Sequence, residues 1–122
     1  MKQFSFDPFA SRRAREIRNT LSRSFLQALA VKNAAVFQQC GADFLQQNLE
    51  PGYAEYVKTR MQKYAESYAI IEQQGLKEVL QQAATLWDIG LYFEMHELLE
   101  LEWKGAAGDR RRALQGLIRA CG

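Results

Sequence analysis

Residues 53–74, YAEYVKTRMQKYAESYAIIEQQ, decide the fold class. Tyr53, Val57, Met61, Tyr64, Tyr68 and Ile71 recur at steps of three and four, which aligns them in one stripe along a helix. Glu55, Lys58, Gln62 and Glu66 fall opposite. No sizeable segment of the chain alternates with the period of two that a half-buried strand requires.

The same spacing extends outward on both sides. Asp7-Pro8 predicts a helix start, because Asp accepts from free amides and Pro suits the first turn. Beyond it Ala14, Ile17, Leu21, Phe25 and Ala28 share one side, and Arg12, Arg15, Glu16, Asn19 and Arg23 the other. A second helix is expected over residues 34–49, with Phe37, Cys40 and Phe44 inward and Glu50-Pro51-Gly52 ending it. After Gly75, the residues Leu76, Val79, Leu80, Ala83 and Trp87 define a fourth helix closing at Gly90. Residues 91–104 form a fifth, stopped by GAAG. Asp109 caps a sixth whose Ala113, Leu114, Leu117, Ile118 and Cys121 lie inward. The expectation is an all-α, single-domain bundle of about six helices, with short links favouring antiparallel helix pairs. Residues 1–75 make an N-terminal helical region of three helices. Residues 76–122 make a helical core packed with it as one domain.

The chain of 122 residues is 48% hydrophobic, enough for one core. Its 25% charged content places it apart from membrane proteins and disordered tails. No apolar run reaches membrane-spanning length, and MKQFSFDPFASRRAR lacks the apolar centre of a signal peptide. A cytoplasmic location is expected. Cys40 and Cys121, without a CxxC spacing, read as two partly buried thiols. Charge is unevenly spread: residues 1–32 hold seven basic and two acidic groups, and residues 84–104 one basic and five acidic. Basic segments that flank an acidic one can neutralise it within the fold.

That acidic segment is LYFEMHELLELEW, residues 91–103, with the only histidine of the chain. On a helix Tyr92, Met95, Leu98, Leu99 and Trp103 cover one arc. His96, Glu97 and Glu100 gather on the other with Phe93 among them. A phenylalanine there implies that the polar trio is half-buried against a neighbour. Glu94 and Glu97 also sit near the positive end of the helix dipole. His96, Glu97 and Glu100 have the chemistry of a divalent transition-metal site, although neither HExxH nor Glu-x-x-His is present. His96 as a general base is a second possibility, and nucleic-acid contact through Arg12, Arg13 and Arg15 a third. The simplest alternative is structural: Arg110, Arg111 and Arg112 pair with the glutamates and His96, with no cofactor at all.

Residues 86–120, LWDIGLYFEMHELLELEWKGAAGDRRRALQGLIRA, resemble the helical family called domain of unknown function 309. Its pattern is a short helix ending in glycine, an FEAHE-type helix closing on tryptophan, and an LQGLIQ-type helix. Gly90, Tyr92, Phe93, Glu94, His96, Glu97, Glu100, Trp103, Leu114, Gln115, Gly116, Leu117 and Ile118 carry the likeness. The resemblance implies a helix-hairpin unit and a shared polar site of Glu94, His96, Glu97, Glu100, Trp103 and Gln115, but no activity. Gly116 fits close approach by another helix. Met95 and the Leu101-Glu102 order depart from the pattern. Members usually continue past the LQGLIQ helix, so residues 1–75 or a second subunit must cover residues 113–121. A homodimer through the C-terminal helix is therefore expected, with binding or assembly as the function.

Overall fold

A computed structural model of the protein describes residues 6–121. These contain six helices: α1 (Arg12–Val31), α2 (Ala35–Gln46), α3 (Pro51–Gln74), α4 (Val79–Ile89), α5 (Tyr92–Gly105) and α6 (Gly108–Cys121). The fold is all-α. Residues divide into two compact units, Met1–Tyr68 and Ala69–Gly122, so the division falls inside α3. None of the described helices is long and apolar enough to cross a membrane. The reading of the first five residues as no leader lies outside the described residues.

The first unit is organised by aromatic rings. Ala14, Ile17, Leu21, Phe25 and Ala28 of α1 are all completely buried, as their spacing requires. Phe25 stacks on Tyr64 at 4.3 Å between centroids, and Phe37 meets both edge-on at 5.7 Å. Such pairs add roughly 0.5–1.5 kcal/mol each beyond the area they bury. At Gly41 of α2, an added Cβ would collide with Met61 Sδ, so glycine is what lets α2 approach α3. Val57 and Tyr64 of the α3 stripe are fully buried, and Tyr53, Met61 and Tyr68 are half-buried. Ile71, in the second unit, is 3% exposed.

Two helix starts differ from expectation. Asp7 Oδ1 accepts the N–H groups of Phe9 (3.0 Å) and Ala10 (3.3 Å), closing a turn ahead of α1. Ser11 is the actual cap: its backbone is extended and its hydroxyl accepts the Ala14 N–H at 3.1 Å. Pro51 opens α3 instead of merely ending α2. It needs no N–H in the first turn, and the Glu50 carbonyl accepts from Tyr53 and Ala54. α2 ends earlier, at Gln46.

The second unit has a thinner interior. Gly90 adopts the expected left-handed cap at φ 86° and turns α4 into α5. Ala83 and Leu86 of α4, Leu91, Met95 and Leu99 around α5, and Leu114 of α6 are buried. Two inward assignments fail on α4: Leu80 and Trp87 are each 48% exposed, and Leu86 takes the interior. α4 is apolar on more than one face, and its packing on α5 selects the Ala83–Leu86 side. On α6 only Leu114 is buried, whereas Ala113 and Leu117 are exposed and Ile118 and Cys121 half-buried. Among the described helices α6 packs chiefly on α5, which covers one face of it. Asp109 lies in the first turn of α6, not before it.

Candidate functional site

α5 carries most of the candidate residues, but it does not gather them all. Glu94 is completely buried, on the side of Met95 and Leu99, and therefore belongs to the interior. His96 and Glu100, one turn apart, approach to 3.4 Å (Nδ1 to Oε1), with side chains 30% and 41% exposed. A protonated imidazole makes an ion pair there. Glu97 is half-buried. Among the described residues no group of three or more His, Cys, Asp or Glu is placed to hold a metal ion, so His96, Glu97 and Glu100 do not form the three-ligand set.

The expected guanidinium partners go elsewhere. Arg110 pairs with Glu102 at 2.9 Å, Arg112 with Asp109, and Arg111 lies over the Trp103 ring at 4.0 Å. The cause is the tight link between α5 and α6. It sets the first turn of α6 beside the last turn of α5, past His96 and Glu97. A guanidinium over the indole face is a favourable cation–π arrangement. The Trp103 Nε1–H, however, is buried without an acceptor among the described residues. An orphaned donor of this kind costs about 1–3 kcal/mol.

Glu100, Trp103 and Gln115 do come together. They line a groove of about 270 Å³ between α5 and α6, with Lys104, Ile118 and Arg119. Ile118 is already an inward position of the sequence reading; Lys104 and Arg119 are not among its site candidates, yet the signal for them is present. Lys104 follows Glu100 by four and Arg119 follows Gln115 by four, so each shares a helix face with a named residue. Gly116 is open: nothing lies within 4 Å of where its Cβ would be, so none of the described helices makes the close approach expected there.

A second, larger groove of about 400 Å³ runs along α4, α5 and α6. Leu80, Ala83, Ala84, Trp87, Met95, Leu99, Leu117 and Cys121 make it apolar, and Asp88 is its one charged lining residue. Trp87 meets Tyr92 edge-on at 4.8 Å.

The N-terminal arginines are engaged within the chain. Arg12 and Arg13 reach Glu16 at 3.5 and 3.7 Å, Arg13 also bonds Gln47, and Arg15 donates to the Pro8 carbonyl. Both cysteines are free thiols, each half-buried. Burial pushes the Cys40 thiol above its ordinary pKa; Asp43 adds to the rise and a hydrogen bond with Ser24 opposes it.

The order of these elements is a glycine-capped helix, the FEMHE helix ending on tryptophan, then the LQGLIRA helix. Residues 80–122 match the model of a domain of unknown function, DUF309. The DUF309 match spans α4 to α6, contains every candidate of the polar cluster and lies wholly within the second unit. No curated protein and no solved structure matches the chain.

Proposed function

We propose that the protein acts by binding and assembly, and that its DUF309 segment pairs with a second copy through α6 and the apolar groove beside it. The observation that carries this reading is the groove itself. Leu80, Trp87 and Leu117 stand 48%, 48% and 37% exposed along it. Contiguous apolar surface of this kind marks interaction sites.

A second copy suits the surface in shape and in charge. A two-fold interface needs one patch that offers both ridge and recess. The groove is the recess, and the open face of α6, with Ala113, Gly116, Leu117 and Ala120 exposed, is the ridge. Small residues allow a close helix approach, and the space above Gly116 is vacant. α6 carries Arg110, Arg111, Arg112 and Arg119 against Asp109, which complements Asp88 in the groove.

Sedimentation velocity over a micromolar concentration series tests this. The wild type is expected to shift from monomer to dimer, and Leu117→Asp to remain monomeric with unchanged helical circular dichroism. A wild type that sediments as one monomer boundary throughout would contradict it.

A further inference from the structure

We infer that the groove between α5 and α6 binds a small zwitterion of the free α-amino-acid class. It is separate from the apolar groove, and the inference does not depend on assembly. Glu100 and Lys104 have the order and spacing that favour a helical ion pair. Yet the carboxylate of Glu100 turns to His96 at 3.4 Å. Among the described residues neither Lys104 nor Arg119 has a carboxylate partner. All three charged groups line the same groove. It therefore presents one anion and two cations that leave one another unneutralised.

The remaining lining sorts by chemistry. Gln115 offers an amide donor and acceptor, and Trp103 and Ile118 supply an apolar wall. Among the described residues Trp103 Nε1–H is a buried donor with no acceptor. A simple anion would meet Glu100, and a simple cation would meet Lys104 and Arg119. A ligand with both signs close together satisfies each group: its ammonium faces Glu100, and its carboxylate faces Lys104, Arg119 and Gln115. A hydrocarbon side chain then covers Trp103 and Ile118. A groove of about 270 Å³ has metabolite dimensions, near the lower end of ordinary ligand pockets.

The test uses the whole ¹⁵N-labelled chain and follows the Trp103 indole resonance, assigned with Trp103→Phe. Three probes are titrated: L-leucine, L-leucinamide and N-acetyl-L-leucine. Leucine is expected to give a saturable shift. Each blocked derivative should bind about tenfold more weakly or worse, because a charged group of the groove then loses its counter-charge. Glu100→Gln should erase the discrimination against N-acetyl-leucine. The double change Lys104→Ala with Arg119→Ala should erase that against leucinamide. Absence of a saturable shift with millimolar leucine, or equal binding of all three probes, overturns the inference. The wild-type comparison decides the matter even if a variant fails to fold.

Discussion

The two units spend their apolar residues differently. In the first, Phe25, Phe37 and Tyr64 form a ring cluster with almost no exposure, closed further by the tight Gly41–Met61 approach. In the second, the interior is mostly single aliphatic side chains, and Leu80, Trp87, Tyr92, Leu101 and Leu117 remain exposed. The first unit closes its core on stacked rings, and the proposed pairing would use the apolar surface that the second leaves open. The response to substitution should follow that difference in core packing.

The largest effect is expected at the ring cluster. Phe25→Ala should lower stability by about 3–5 kcal/mol, measured by urea denaturation, because it leaves a cavity under two other rings. Trp87→Ala removes an equally large side chain from the exposed groove. In dilute monomer it should cost about 0.5 kcal/mol or less, and the cost should grow with protein concentration as association is lost. Equal, concentration-independent losses for both would erase the contrast between the units.

The glycines sharpen the comparison through sign. Gly41→Ala drives a methyl into Met61 and should destabilise by about 1–3 kcal/mol, toward the lower figure because methionine is flexible. Gly116→Ala meets nothing and should stabilise the monomer by up to about 1 kcal/mol through helix propensity. Thermal melts of both variants at low concentration check this. A destabilised Gly116→Ala monomer would mean that α6 is more closely packed than described.

These contrasts show what was legible beforehand. The α1 stripe was read without error, because a helix with one apolar face and one arginine-rich face has a single way to pack. α4 and α6 were not. Periodicity announces an apolar face but not which neighbour covers it, and Leu80, Trp87 and Leu117 lie on faces that no neighbour covers. Asp7 and Ser11 are both competent caps four residues apart, and only the backbone distinguishes them. Pro51 ends one helix and begins another with equal ease. In the polar cluster, the His96–Glu100 approach follows from spacing. The diversion of Arg110 and Arg111 to Glu102 and Trp103 depends on the path of the α5–α6 link, which composition does not encode.

Smaller effects complete the series. Arg110→Ala breaks an exposed pair with Glu102 and should cost roughly 0.5 kcal/mol, vanishing in high salt. Cys40 has a raised pKa in the fold, so the folded state holds its proton more firmly than the unfolded chain. Stability from this group is complete at neutral pH and declines as pH rises through the ordinary thiol range. Cys40→Ser should flatten that alkaline decline. Iodoacetamide labelling of Cys40 should be slow at neutral pH and accelerate only in alkali.

The central claim is that the groove beside α6 receives α6 of another copy. An isotope-filtered NOE experiment on a mixture of labelled and unlabelled chains tests it most directly. Cross-subunit contacts between the Trp87 ring and the Leu117 methyls are the expected result. A dimer in which those groups show contacts only within their own chain, or a chain that stays monomeric at NMR concentration, would contradict it.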